Sequence, residues 1–458
     1  MDALTHTFTT FDNFGHSMRA PSYRLRPETV EEIYEAFQLA KKSELTVTVR
    51  GAGRSYNDAA LNGGGIVLDL TAMNQIVEWD PVAGVICCEA GATLQQLWHK
   101  VLPDGWWPPV VSGTMTTTLG GCLGANIHGK NNFRMGTIGE HVIEFTAILP
   151  TGAQVTCSPK LNADLFYSMI SGLGMLSVIT SVTLQMKKID SGLLEVHAWP
   201  THTLDEHLNS LLEGAPNYDY IVGWLDTLTV GHGQIHAANY VHDDPDPAKL
   251  QLSYQTLPSR LFGVMPKSLL HYFMTPFVND LGWWGINTAK YIASLRRHTF
   301  RQSHAAFHFL LDYVPDWELS SGRNGLIQYQ SFLPKETALQ AWNKVLAITK
   351  KRGLPSYLGV TKRHRPDRFL LTHALDGFSL ALDFKVRRRE EMSKMLQDFD
   401  QLVLNAGGRF YFAKNSETSA ETTRAFLGDE AVEKFKKLKK RCDPDGLLES
   451  DLYRRIFG

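Results

Sequence analysis

Two glycine-rich segments hold the residue types that could do chemistry. The first, RGAGRSYNDAALNGGG (residues 50–65), leaves a strand-forming run at 45–49 through Gly51-Ala52-Gly53, then places Arg54, Ser55, Tyr56, Asn57 and Asp58 in a row. Small residues at a strand exit let backbone N–H groups approach a ligand closely, and such nests hold phosphate; the same pair of glycines also serves as a plain tight turn. The second, VSGTMTTTLGGCLGANIHGKNNFRMGTIGEHV (residues 111–142), is too rich in Gly, Thr and Asn for a continuous helix or strand. A loop of that length between ordered patterns is usually functional. Other chemistries lack their signatures. No G-x-G-x-x-G follows a strand, so a Rossmann site is poorly supported, and there is no Walker loop, G-x-S-x-G elbow or H-E-x-x-H. The 17 histidines form no ligand cluster by spacing. Further on, Gln328 and Gln330 are two apart and so share a strand face. Amides there suit hydroxyl or phosphate recognition, or are plain surface residues. Lys414, in RFYFAKN, reads on its own as an exposed lysine.

These segments need elements to hold them. RPETVEEIYEAFQLAKKS puts Pro27 at an expected first helical position and Val30, Ile33, Phe37 and Ala40 on one face, an amphipathic helix. Strands are expected at 45–50, 66–70, 76–79 and 85–89, with a helix over 93–101. This is a small α+β unit and not a repeated βαβ array. After the second glycine segment come a hairpin (142–149 and 154–157), a short helix near 163–170, and GLGMLSVITSVTLQM. From about residue 190 to 400, strand-like runs such as GLIQYQSFLP and FSLALDFKV alternate with helical ones. They read as an antiparallel sheet with helices on one face, a second domain. Within it, residues 260–297 carry Phe262, Phe273, Phe277, Trp283, Trp284 and Tyr291 but are broken by Pro266, Pro276 and Gly282. That stretch reads as a short helical hairpin, or as an apolar flap for a lipid chain with Lys267, Arg296 and Arg297 near its phosphate.

The length of 458 residues exceeds one ordinary core. A net charge of −1 gives no general attraction for nucleic acid or anionic lipid. The basic runs at 385–389 and 434–441 read as solvated helix faces. Five cysteines without a C-x-x-C pair read as reduced thiols. The polar N-terminus lacks a signal peptide's apolar core, and no apolar run approaches the ~20 residues of a membrane span. A cytoplasmic protein is expected.

RGAGRSYND ahead of IVLDL, then SGTMTTTLGG and NIHGKN, then GLGMLSVIT, together resemble the vanillyl-alcohol-oxidase-type (PCMH-type) FAD-binding family. The resemblance implies a two-domain α+β fold: an FAD-binding domain over 15–190, a substrate domain with an antiparallel sheet over 191–405, and a C-terminal segment, 406–458, returning to the FAD domain. It assigns to FAD the residues Arg50, Gly51, Ala52, Gly53, Arg54, Ser55, Tyr56 and Asn57. From later segments it adds Gly113, Thr118, Leu119, Gly120, Gly121, Ala125, Asn126, Ile127, His128, Ile179, Tyr411 and Lys414. Many oxidases of this fold attach FAD covalently through a histidine where this chain has Arg54. A guanidinium stays protonated and offers no lone pair for that bond, so FAD is expected to be non-covalent.

GRSY, NIHGKN, LIQYQ, FYFAK and DPDGLLESDLYRRI narrow the resemblance to the decaprenylphosphoryl-β-D-ribose 2-oxidase family, from about residue 15 to the end. Its members oxidise the ribose 2-hydroxyl of a polyprenyl-phosphate sugar to a ketone. A partner short-chain NAD(P)H-dependent reductase then gives the arabinose epimer. Carried over, this implies Lys414, His128 and Tyr56 as catalytic groups. Lys414 would stabilise charge near the flavin, and His128 would relay the hydroxyl proton. Gln328, Gln330, Lys362, Ala381 and Trp224 would contact the substrate, and Tyr411 and Lys414 would lie on a strand returning to the flavin. One departure is Ala381, where mycobacterial members carry a cysteine beside the flavin. Hydride transfer does not need that thiol, so the change bears on pocket shape. The implied partners are a lipid-linked sugar phosphate and the reductase, with peripheral contact at the inner membrane, no nucleic acid and no metal. Two rival readings are an FAD-dependent dehydrogenase or oxidase on a soluble polyol or aldonolactone, and a carrier that has lost its flavin. The intact glycine segments weigh against the latter.

Overall fold

The computed structural model describes residues 7–229, 231–244, 246–261, 265–296 and 298–458, so Phe262 and Arg297 lie outside the described residues. The amphipathic helix spans Val30–Lys42 and buries Ile33, Ala36, Phe37 and Ala40. It begins after Pro27, because the Thr29 hydroxyl accepts from the Glu32 N–H and closes the first turn, where Glu31 and Glu32 favour the positive end of the helix dipole. It packs on a sheet in which Arg19–Leu25, Ile66–Asp69 and Val47–Arg50 run parallel and Thr7–Asp12 is an antiparallel edge. Next to this lies an antiparallel five-stranded sheet, in the order Ile76–Asp80, Val85–Glu89, Val178–Gln185, Val142–Ile148, Gln154–Cys157. The second glycine segment is not a bare loop. It holds short helices at Leu119–Gly124 and Asn132–Met135, stabilised by burial of Leu119, Cys122 and Leu123.

Eight further strands form one sheet, in the order His298–Ser303, Leu193–Thr201, Gly233–Tyr240, Tyr220–Leu225, Leu358–His364, Gly377–Lys385, Leu326–Pro334, Arg409–Phe410. Every described pairing in it is antiparallel. Its two faces follow from the period-two alternation of strands. On Leu326–Pro334 the odd residues meet helices: Trp342 Nε1 donates to Ser331 Oγ, and Tyr329 Oη donates to Asp400 Oδ1. The even residues Gln328 and Gln330 turn the other way, into a cavity.

In the stretch from residue 260, Arg260–Leu261 pairs antiparallel with Met265–Pro266, and helices follow at Leu270–Met274 and Asp280–Ser294. The longer helix lies on the large sheet. Trp283 stacks on Tyr357 at 5.7 Å, and Asn287 donates to Asp226. Leu281, Trp284 and Ile292 face outward and are exposed. Among the described residues no helix is long and apolar enough to cross a membrane.

Candidate active site

A large cavity separates the glycine segments from the even face of the eight-stranded sheet. About 1910 Å³ there is free of protein atoms, part of it open to solvent. One wall is backbone. Gly51, Ala52, Gly53, Arg54, Ser55, Gly113, Thr118, Gly120, Gly121, Ala125, Ile127 and Ile179 line it, and the N–H groups of Ala52 through Ser55 meet no acceptor among the described residues. The two segments meet so closely that a Cβ on Gly51 would stand 2.0 Å from Thr118 Oγ1. Gly53 has φ +66°, a left-handed conformation that favours glycine. Unpaired N–H groups on a concave glycine cradle fit a pyrophosphate. Arg54 Nε, Tyr56 Oη and His128 Nδ1 are buried without partners in the same cavity, so polar ligand atoms are wanted there.

The other wall is made of side chains. Cross-strand register puts Gln328 opposite Asp383, Gln330 opposite Ala381, and Ser379 opposite Lys362, all lining the cavity. Gln328 Nε2 donates to Asp383 Oδ1 at 2.6 Å. Gln330 Nε2 faces His128 Nε2 at 3.1 Å, which makes that ring nitrogen the acceptor and leaves the His128 proton on Nδ1. The His128 ring sits among His364, His373 and Tyr411, with centroids 4.8, 5.2 and 5.3 Å away. Burial, then the charge of Lys362, holds His128 well below the ordinary histidine range, so it is neutral.

Tyr411 and Lys414 do not ride on a strand. The strand ends at Phe410, and Lys414 follows in a turn. That turn is fixed against the first glycine segment: Tyr56 N–H donates to Ala413 O at 2.9 Å, and Asn57 Nδ2 donates to Phe412 O and to Asn415 O. Asn415 binds the Gln330 backbone twice, accepting from its N–H at 2.8 Å and donating to its C=O at 3.1 Å. Arg455 closes the network by donating to both oxygens of Asp58 and to Asn415 O. The result sets Lys414 Nζ 3.7 Å from the Tyr56 ring centroid. Burial lowers the Lys414 pKa, partly offset by Asp383, and burial raises that of Asp383. Burial also raises Tyr56, which stays a phenol.

Five residues expected in the site do not line the cavity. Arg50 donates to Asp12 O and Ala60 O, bracing the first segment from behind. Asn57 is the tie to residues 412 and 415. Leu119 is buried in the core, with its N–H on Ala92 O. Asn126 accepts from Gly139 N–H and donates to Asp367. Trp224 lies under helix Asp280–Ser294, with Lys290 Nζ 4.2 Å from its ring centroid. Conversely, Asp383, Lys130 and His308 line the cavity without having been singled out in the sequence. Asp383 had a signal, since it lies two residues beyond Ala381 on the same strand face.

Residues 21–158 match a family model described as an FAD binding domain. The chain is 30% identical over 417 residues, 90% of its length and 89% of the relative's, to decaprenylphosphoryl-β-D-ribose oxidase of Mycolicibacterium smegmatis. It is 22% identical to L-gulonolactone oxidase of Mus musculus, over 96% of each chain. It is also 30% identical to cytokinin dehydrogenase 10 of Oryza sativa subsp. japonica, over 48% of this chain and 43% of that one. The glycine cradle and these similarities make FAD the cofactor, and the chain belongs to the family of FAD-dependent oxidoreductases that includes decaprenylphosphoryl-β-D-ribose oxidase.

Proposed function

We propose that this enzyme oxidises the 2-hydroxyl of a polyprenyl-phosphate-linked pentose to the 2-keto sugar, the first half of a 2-epimerisation completed by a separate NAD(P)H-dependent reductase. The observation that carries this is the side-chain wall. Lys414, Asp383, Gln328, Gln330, His128 and Lys362 line one cavity together with a cradle for FAD, and a relative 30% identical over 90% of this chain is named for that sugar. FAD, when bound, supplies the two-electron acceptor for the carbon-bound hydrogen. The protein's part is to hold the sugar and move one proton. Asp383 is the group we assign to take the hydroxyl proton, because burial raises its proton affinity while Gln328 holds its Oδ1 in place. His128 is assigned to orientation and not to proton relay. Its Nε2 lone pair is occupied by Gln330, so it offers a hydrogen-bond donor at Nδ1. Lys414 sets a positive charge beside Tyr56, where negative charge grows as the alcohol is oxidised. Arg54 lies at the cradle with no free lone pair, which supports dissociable FAD.

The test is anaerobic mixing of the holoenzyme with farnesylphosphoryl-ribose, followed by the loss of oxidised-flavin absorbance. Bleaching with the lipid-linked pentose, and none with free ribitol or an aldonolactone, is the expected result. Bleaching by the soluble compounds alone would shift the assignment to the polyol or lactone reading.

A further inference from the structure

Among the described residues three lysines and a single carboxylate face the cavity: Lys130, Lys362 and Lys414 against Asp383. Asp383 acts on Lys414, which leaves the other two without a counter-charge. Lys130 is 9% exposed, and its ammonium donates to the carbonyl of Phe307 while sitting 4.2 Å from that ring's centroid. Neither Lys130 nor Lys362 has an acidic partner among the described residues. Burial, then the charge of Lys362, brings Lys130 down to about 7, and burial brings Lys362 down to about 8. A third group adjoins them. His308 lines the cavity, feels the Lys130 charge, and buries its Nε2 with no hydrogen-bond partner. All three groups line the cavity, and Lys130 and Lys362 both adjoin strand Tyr220–Leu225. The Ile221 N–H donates to the Lys130 carbonyl at 2.9 Å, and Thr361, next to Lys362, pairs with Gly223.

Buried cations without counter-charges are costly unless something completes them. Two ammoniums and an orphaned ring nitrogen form a donor set for a phosphate oxyanion. The unpaired N–H groups of Ala52 through Ser55 are a separate donor set, which fits the phosphates of FAD. We propose that Lys130, Lys362 and His308 form an anion subsite that takes the phosphate of the substrate, and that this subsite selects an anionic sugar over a neutral polyol or lactone. The proposal rests on the lipid-linked pentose reading and deepens it. It also states a chemistry, a phosphate oxyanion, that a prenyl phosphate and free phosphate share.

The test uses FAD-loaded full-length enzyme. Binding of farnesyl phosphate, inorganic phosphate and farnesol is read by flavin fluorescence, and KM is measured for farnesylphosphoryl-ribose. We expect farnesyl phosphate to bind and farnesol to bind at least about tenfold more weakly, with inorganic phosphate competing only at much higher concentration. Lys130→Met and Lys362→Met should each weaken farnesyl phosphate, and raise KM, at least about tenfold, the usual size of one lost charged hydrogen bond. If Lys130→Met does not retain FAD, Lys362→Met decides. Equal binding of farnesyl phosphate and farnesol, or variants that bind farnesyl phosphate as the wild type does, would overturn the subsite. Wild type that oxidises the lipid-linked ribose, with KM unmoved in the variants, removes the subsite and leaves the function standing. Lysine-dependent binding of farnesyl phosphate, without oxidation of any lipid-linked pentose, removes the function and leaves the subsite.

Discussion

Asn415 offers the sharpest test of how the site is positioned. Strand Leu326–Pro334 pairs with Gly377–Lys385 on one side, but its partner on the other side ends at Phe410. The Asn415 carboxamide substitutes for the missing strand, binding both the N–H and the C=O of Gln330. Asn415→Ala leaves those two groups buried and unpaired at about 1–3 kcal/mol each, or about 2–6 kcal/mol together. The loss falls on the backbone that carries Gln330, and through it His128, and on the turn that carries Lys414. Hydrogen-exchange mass spectrometry of the peptide over 326–334 reads it directly. At the lower end of that range its protected amides should exchange roughly 30-fold faster. The kcat/KM should fall at least about tenfold while FAD is retained, because the cradle is on the other wall. Protection and kcat/KM both within twofold of wild type would refute the reasoning.

The pH dependence has a definite sign. The active form needs Asp383 ionised and Lys414 protonated; burial raises the first pKa and lowers the second. A kcat/KM profile should therefore lose activity on its acid side above the ordinary aspartate value of about 4, and on its alkaline side below the lysine value of about 10.4. Asp383→Asn should abolish the acid limb and lower the rate by ~10²–10⁴, and an acid limb that persists would remove Asp383 as the base. Lys414→Ala should slow flavin reduction by ~10²–10³ with the fold intact, and reduction at the wild-type rate would discard its role. Acid precipitation of the holoenzyme should leave all flavin in the supernatant, because Arg54 cannot form the histidyl bond; a yellow pellet would point to another anchor.

What the sequence revealed depended on how local the signal was. The helix over 30–42, the strand exit at Gly51 and the hairpin after residue 142 are each specified by neighbours in the chain, and each was legible. Pro27 misplaced the helix start because Thr29, with a hydroxyl that closes the first turn, is the stronger cap. The second glycine segment hid its short helices, since Leu119, Cys122 and Leu123 are buried only once strands Val85–Glu89 and Val178–Gln185 pack beside them. The same reason concealed Lys130, and it left Asp383 with only the two-residue spacing from Ala381 as a signal. A lysine in IHGKN becomes a buried cation only when Phe307 and Ile221 close over it. An aspartate in LALDF becomes a site group only when strand register sets it beside Gln328.

The two walls of the cavity answer to different constraints, and this bears on how far similarity can carry an assignment. The cradle works through backbone, so it tolerates little: a side chain at Gly51 collides with Thr118, and Gly53 holds a left-handed conformation. The sheet wall works through side chains standing off a regular ladder. There Ala381, Ser379 or Lys362 can change without altering the register that holds its neighbours. A relative can match this chain over 96% of its length at 22% identity and still bear the name of an unlike molecule, as L-gulonolactone oxidase does beside decaprenylphosphoryl-β-D-ribose oxidase. Overall identity thus speaks for FAD more strongly than for the sugar. What speaks for the substrate is the charge of the side chains that line the cavity, Lys362 from the sheet and Lys130 from the second glycine segment. Among the described residues Lys130 and Lys362 line the cavity with no acidic partner, and the phosphate of the proposed lipid-linked sugar would supply a counter-charge that a neutral lactone lacks.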